Sequence, residues 1–237
     1  MRGDILLQRL QQIKESAFQD RSSLSAKNPS WDTRRDARLR SLQKLINIID
    51  RTQFQVHIIG KLLDDEWCDE NLENETQQNQ DYKRMLVVEL EITAKYGFGM
   101  SFFTLIETYF RIFLRAIDPT ACNGATSAFA NISESLLGAK QLNFPNSDRL
   151  AALELLSFAR LIRNLIHNDG VYFADDGIDK TVTFKDNSYT FRHGQQVNFV
   201  YWELLLNLAE DIRQLLVQVI SHPQIMRSAN IPDPAVA

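Results

Sequence analysis

The chain has 237 residues, of which 44% are hydrophobic and 24% are charged, as is ordinary for a globular protein with a sizeable core. Its formal net charge of -4 at pH 7 excludes a general nucleic-acid binder, because phosphate contacts need a surplus of lysine and arginine. Any RNA or DNA role must therefore come from a small basic site. Glycine and proline are scarce, which favours helices over a turn-rich sheet fold.

The cysteines and the most apolar stretch indicate a soluble protein of a reducing compartment. Cys68 and Cys122 lie far apart and neither belongs to a CxxC pair, so the sequence predicts no zinc site. Residues 98–117 form the most apolar stretch, but three charged side chains interrupt it, so no membrane span is predicted. The N-terminus carries charges where a signal peptide needs an apolar core. We expect a cytoplasmic protein.

Residues 1–63 are predicted to form an N-terminal arm that folds as a helical hairpin. Apolar residues recur at helical spacing over residues 4–18, and the polar, proline-containing segment 20–30 indicates a loop. A second helix is predicted over residues 31–63, and we interpret its arginine-rich start as a solvated face rather than a phosphate-binding surface. Residues 64–82 are acidic and lack the pattern of a calcium loop, so they are predicted to be an exposed linker.

The segment 83–222 is predicted to form a mainly helical bundle. After the helical periodicity returns at Lys83, the apolar pattern and the stop signals predict helices over residues 99–117, 128–137, 146–167 and 199–221. The last of these is apolar on nearly all sides, which is typical of a helix at the centre of a bundle. The expected fold class is therefore all-α.

The pattern changes from helical spacing to alternation before the last helix, which predicts a small β-hairpin at about residues 171–197. Its two runs hold Val182 with Phe184 and Tyr189 with Phe191, and residues 185–188 are the predicted turn. Whether residues 171–173 add a third strand is left open. Residues 223–237 contain two late prolines and are predicted to be a flexible tail.

The helix predicted over residues 146–167 carries the most concentrated chemical signal. At about 100° per residue, Arg160, Arg163 and His167 fall within roughly 60° of one another, opposite an apolar arc, with Asn164 at their edge. An arginine fork suits a phosphate, and histidine exchanges a proton near neutrality. These residues suit metal-independent cleavage of RNA, in which His167 handles the proton of the 2′-hydroxyl or leaving oxygen and an arginine stabilises charge on phosphorus.

A second interpretation of the same residues involves no function. Basic side chains in the last turn of a helix complement its dipole and cap its carbonyl groups. The helix is predicted to end at Asn168-Asp169-Gly170, where Gly170 suits the C′ position. An open cleft at these side chains would favour catalysis, whereas a closed network of ion pairs would favour a structural role.

The segment RNLIHNDG, residues 163–170, resembles the signature helix of the HEPN superfamily (higher eukaryotes and prokaryotes nucleotide-binding domains). That motif is an arginine followed a few residues later by a histidine, often with a polar residue just after the arginine. Three residues separate Arg163 from His167 and six separate Arg160 from it. Arg160 therefore fits the family spacing, whereas Arg163 carries the polar neighbour Asn164, so the motif arginine is left open.

The resemblance covers about residues 85–222 and implies an antiparallel helical bundle with the hairpin inserted before the last helix. It also implies that Glu107 and Arg111, on an earlier helix, face the site, with Asn164 and Asn168 in supporting roles. The implied activity is that of a metal-independent endoribonuclease of toxin, defence or stress systems, with no cofactor and no bound metal. Implied partners are RNA, a second copy in a homodimer and an antitoxin-like protein. The alternative is a non-catalytic HEPN-like module that binds a protein partner or a nucleotide.

Overall fold

The protein is described by a computed structural model over residues 3–64, 66–68, 80–121, 128–174 and 176–235. The fold is mainly helical with one antiparallel hairpin before the last long helix, which confirms the predicted fold class. In chain order the elements are α1 (Gly3–Lys27), α2 (Ala37–Lys61), α3 (Gln80–Ile117), α4 (Phe129–Leu137), α5 (Asn146–His167), β1 (Lys180–Phe184), β2 (Asn187–Phe191), α6 (Trp202–Ile220) and α7 (Pro223–Arg227). In the part of the chain so described, no helix combines the length and apolarity needed to cross a membrane.

The core lies where α3, α5 and α6 pack together. Its fully buried residues include Phe110 and Phe113 of α3 and Leu206 of α6. Phe158 of α5 exposes only 1% of its surface. The helical hairpin of α1 and α2 adds its apolar stripe to the same cluster of buried residues. The N-terminal helices are thus an integral part of the bundle rather than an appended arm.

Helix α3 begins at Gln80, well before the predicted start at residue 99. It continues without a break through Gly97 and Gly99. A glycine inside a helix costs about 1 kcal/mol relative to alanine. Gly99 has a packing role that offsets this cost, since a Cβ atom there would lie 2.8 Å from Cδ1 of Ile166 and 3.5 Å from Cδ2 of Leu205. The glycine lets α3 approach α5 and α6 closely.

The loop predicted over residues 20–30 is wrong for its first part, because α1 continues to Lys27. The polar residues there remain helical because Leu24 is buried and Asp20 forms an ion pair with Arg213 of α6. Helix α2 begins later than predicted, at Ala37. Asp36 is its N-cap, and the Asp36 carboxylate accepts a hydrogen bond from the Arg38 N–H.

The interpretation of the α2 start as a wholly solvated face is wrong at Arg38, which is completely buried. Its guanidinium forms a bidentate ion pair with Asp36, with nitrogen–oxygen distances of 2.8 and 2.5 Å. It also donates to the carbonyl oxygens of Ile225 at 2.9 Å and Ser228 at 2.8 Å, and it lies 3.8 Å from the ring centroid of Trp31. Arg38 thus joins the start of α2 to the C-terminal segment.

The prediction of a flexible tail is wrong over residues 223–235. Ile225 and Ile231 are buried, and the Ala37 N–H donates to the Ile231 carbonyl at 2.7 Å. The Tyr109 hydroxyl donates to the buried Asp233 carboxylate at 2.7 Å. These contacts hold the C-terminal segment against α2 and α3.

The hairpin has a shorter turn than the predicted residues 185–188. Lys185 and Asp186 alone connect β1 to β2, with φ angles of 48° and 63°, as a type I′ turn requires. Val171 forms an isolated bridge with Gln196, so no third strand is added to the sheet. The rings of Phe184, Tyr189 and Phe191 lie 5.3, 5.2 and 6.1 Å from that of Phe158, which fixes the hairpin on α5.

Two sequence predictions fall largely on residues outside the described ranges. The acidic linker predicted over residues 64–82 includes residues 65 and 69–79, and Cys122 lies within 122–127. Cys68 is described, and it is a buried free thiol.

Candidate functional site

Helix α5 follows its predicted bounds of 146–167, but more of its surface is buried than the predicted apolar arc. Leu156 and Leu161 are buried, whereas Leu155, placed in the arc, is half-buried. Leu156 lies about 40° from Arg160 around the helix axis, and so in the direction of the cationic stripe. It is buried because α4 packs on this half of α5. The stripe of Arg160, Arg163 and His167 is therefore covered at its N-terminal end and open at its C-terminal end.

Arg160 lies in a crevice of about 200 Å³ between α4 and α5. Phe129, Ser133 and Glu134 of α4 and Ser157 of α5 contribute to its walls. The Arg160 side chain is half-buried, so its guanidinium belongs to the side of the stripe that α4 covers.

Arg163 is half-buried and contacts α3 through an aromatic ring. Its Cζ atom lies 5.6 Å from the ring centroid of Phe103, which is within range of a cation–π interaction. Its Nη1 donates to Oδ1 of Asn164 at 3.2 Å. The ring and the amide together restrain a guanidinium that keeps further donors for a ligand.

His167 is the last residue of α5 and is exposed. Backbone groups close the helix end, because the Asn168 N–H donates to the Asn164 and Leu165 carbonyls at 3.2 and 3.0 Å. The Gly170 N–H adds a bond of 2.8 Å to the Leu165 carbonyl, as in a Schellman motif. Backbone donors therefore cap the Asn164 and Leu165 carbonyls, and among the described residues neither Arg163 nor His167 donates to a carbonyl at this helix end.

The predicted place of Gly170 at C′ is shifted by one residue. Asn168 is the C-cap, so Asp169, with φ of 51°, occupies C′, and Gly170, with φ of 84°, follows it. A Cβ atom at Gly170 would lie 3.4 Å from the Tyr96 hydroxyl oxygen. The glycine is needed both for its left-handed backbone and for its packing under Tyr96.

One face of α3 lies along the stripe end of α5, with the two helices antiparallel. Tyr96 lies over Gly170, Gly99 over Ile166, and Phe103 under Arg163. Tyr96 and Phe103 were not among the residues predicted for the site. Their spacing of seven residues on one helix is a signal that could have identified them.

Glu107 and Arg111 form an i,i+4 ion pair with an oxygen–nitrogen distance of 2.7 Å. Glu107 lies one turn beyond Phe103 on α3, so the pair is on the side of α3 that approaches α5. Within the described ranges, Glu107 forms no ion pair with a residue of the stripe. Helical spacing thus puts the pair on the α5 side of α3, and no ion pair among the described residues joins Glu107 to the stripe.

The described residues include no carboxylate within ion-pair distance of Arg160, Arg163 or His167. The stripe is therefore not part of a closed network of ion pairs. In the same part of the chain, no three His, Cys, Asp or Glu side chains are grouped as metal ligands would be. The functional groups of the stripe are therefore the guanidinium groups of Arg160 and Arg163 and the exposed imidazole of His167.

No protein-family model, no curated protein and no solved structure matches this chain. The resemblance to the HEPN superfamily therefore depends on this chain's own residues, which are the motif of α5 and the Glu107–Arg111 pair of α3.

Proposed function

We propose that this chain is a HEPN-like, metal-independent endoribonuclease whose site is the open end of the α5 stripe. The observation that supports this proposal is that Arg163 and the exposed His167 lie one turn apart with no carboxylate partner among the described residues. Without such a partner, the charges of both side chains remain available to an anionic ligand such as a phosphate. Phe103 and Asn164 restrain the Arg163 guanidinium in advance, which reduces the cost of ordering it around a phosphate.

The proposed reaction is attack of a ribose 2′-oxygen on the adjacent phosphorus. The bond from this oxygen to phosphorus forms while the bond from phosphorus to the 5′-oxygen of the next nucleotide breaks. A base takes the proton of the 2′-hydroxyl, an acid protonates the departing oxygen, and the products are a cyclic phosphate and a 5′-hydroxyl end. His167 serves as one of these two groups, and Arg163 or Arg160 stabilises the charge on the phosphoryl oxygens.

The need for both a base and an acid supports a homodimer. One chain presents one histidine at the open end of the stripe, whereas two copies related by a two-fold axis would present two histidines and four arginines of the stripe. A shared cleft of this kind would place the base and the acid on opposite sides of the phosphate. A monomeric mass by light scattering at high protein concentration would count against this part of the proposal.

The test is an RNA cleavage assay with purified full-length protein in EDTA, with RNA, its 2′-O-methyl analogue and DNA as substrates. RNA alone should be cut, and the cut ends should carry cyclic phosphate. Replacing His167 with alanine should lower the rate by about 100-fold to 10,000-fold, because that is the usual loss on removing a general acid or base. Arg163→Ala and Arg160→Ala, measured separately, would show which arginine binds the phosphate.

The matched controls are His57→Ala and Arg51→Ala, which remove an exposed histidine and an exposed arginine from α2. Both should cleave at the wild-type rate. If His167→Ala cleaves as fast as His57→Ala, or if the wild type cleaves no RNA, the catalytic proposal is wrong.

The second candidate function is a non-catalytic HEPN-like module that binds a nucleotide or a protein partner, such as an antitoxin-like protein, through the same stripe. The crevice of about 200 Å³ at Arg160 favours it, because a half-buried guanidinium in such a crevice suits one phosphate group of a nucleotide. Binding of a labelled nucleotide that is lost in Arg160→Ala, in a protein that cleaves no RNA, would support this function.

A further inference from the structure

Strand β1 has a free edge. It pairs with β2 on one side, and no other described strand pairs with it. β1 contains no proline, and its central residues Thr181, Val182 and Thr183 carry no charge. Lys180 is its first residue, so the part of the edge that neither a charge nor a proline protects runs from Thr181 to Phe184.

The register of the hairpin shows which backbone groups point to this edge. With a two-residue turn, the flanking pair Phe184 and Asn187 is the pair that exchanges hydrogen bonds, and the pattern then alternates along the strand. The backbone groups of Val182 are thus used within the hairpin, whereas the N–H and C=O groups of Thr181 and Thr183 point outward. These four groups offer two donors and two acceptors to an added strand.

A groove of about 720 Å³ lies along the same edge. The four residues from Thr181 to Phe184 form one wall, and α5 and α6 form the rest. Its apolar floor includes Leu155, Phe158 and Leu215. This groove is on the N-terminal half of α5 and on a different face from His167, so it is separate from the stripe.

The groove is acidic. Asp148 and Glu154 of α5 and Asp211 of α6 contribute to its walls, against a single lysine, Lys185. Lys185 is already paired with Asp211 at 2.9 Å. In the described part of the chain, Asp148 and Glu154 form no ion pair, so two carboxylates remain for a cationic ligand.

We propose that this groove binds an extended, basic segment of a partner protein, which adds to β1 as a third strand. The outward groups of Thr181 and Thr183 supply the backbone pairing. Alternate side chains of the segment then face the apolar floor, and its lysines or arginines meet Asp148 and Glu154. This binding site does not depend on RNA cleavage at the stripe.

The probe is a short synthetic peptide that alternates lysine and valine, labelled with a fluorophore and added to the full-length protein. Thr183→Pro removes one outward N–H and puts a ring at the edge, without removing a hydrogen bond of the hairpin. It should weaken peptide binding by about tenfold or more, because at least one strand-to-strand hydrogen bond is lost and the approach is blocked. The combined Asp148→Asn and Glu154→Gln variant should weaken binding and reduce its salt dependence.

The matched control is Ser188→Pro, because Ser188 is opposite Thr183 and its N–H points away from β1, to the other side of the hairpin. This variant perturbs the hairpin equally but leaves the groove edge intact, so it should bind the peptide as the wild type does. A peptide with an N-methyl group on every residue should not bind, since it keeps the charge and loses all of its backbone donors. The proposal is overturned if the N-methylated peptide binds as well as its parent, if Thr183→Pro and Ser188→Pro behave alike, or if a second copy of the chain occupies the edge and excludes the peptide.

Discussion

Replacing Arg38 with methionine should cause a large loss of stability without changing the surface of the protein. The methionine keeps an unbranched apolar stem beside Trp31, but it removes four hydrogen bonds of the guanidinium, two to Asp36 and two to the carbonyls of Ile225 and Ser228. The Asp36 carboxylate then remains buried without its cation. Breaking a buried ion pair in this way costs about 3–5 kcal/mol, which for a chain of this length lowers Tm by roughly 10 °C.

The assay is urea and thermal unfolding followed by circular dichroism, with limited proteolysis of the C-terminal segment. Arg34→Met is the matched control, because Arg34 is an exposed arginine of the same segment, and it should change the free energy of unfolding by less than about 0.5 kcal/mol. Adding Asp36→Asn to Arg38→Met should restore part of the lost stability, since the buried carboxylate without a cation is then replaced by a neutral amide. A loss below about 1 kcal/mol in Arg38→Met, with the C-terminal segment still protected, would refute the assignment of Arg38 as the residue that holds this segment.

Two further predictions concern the C-terminal segment and the end of α5. Burial raises the pKa of Asp233, but hydrogen bonds from the Ala235 N–H and the Tyr109 hydroxyl, together with Lys44, lower it more, so the net pKa is below the ordinary value. The resulting stability should be complete above about pH 4 and should be lost as pH falls through the folded pKa, and unfolding curves of Asp233→Asn should lack this loss. Gly170→Ala should reduce the free energy of unfolding by about 1–2 kcal/mol, because its left-handed φ of 84° is unfavourable for alanine, and an unchanged unfolding curve would contradict the role given to Gly170.

The sequence predicts local structure well where one pattern determines it. The bounds of α5 agree with the predicted 146–167, because an apolar period and an Asn-Asp-Gly stop act within the segment, although Pro145 rather than a polar side chain is at the N-cap. The hairpin is found because alternation is also a local signal, although its turn has two residues rather than the predicted four.

The sequence does not predict features that depend on distant parts of the chain. In the sequence, Arg38 has the pattern of a surface cation. Its burial depends on the carbonyl of Ile225, which is 187 residues later in the chain. Leu156 is on the polar side of the helical wheel of α5. It is nevertheless buried, because α4 packs against that half of α5 in the folded chain. The extent of the stripe therefore had to come from tertiary contacts, even though its residues could be identified from their spacing.

Helix α5 separates two surfaces of opposite charge, and this separation makes the two proposals independent. Its C-terminal end presents Arg163 and His167, whereas its N-terminal half presents Asp148 and Glu154 to the groove beside β1. A polyanion is attracted to the first surface and repelled by the second, and a basic peptide has the opposite preference. Each surface should therefore respond only to substitutions of its own residues when RNA and peptide are tested separately. Thr183→Pro should leave RNA cleavage unchanged and His167→Ala should leave peptide binding unchanged, so loss of both activities in either variant would indicate one shared surface instead of two.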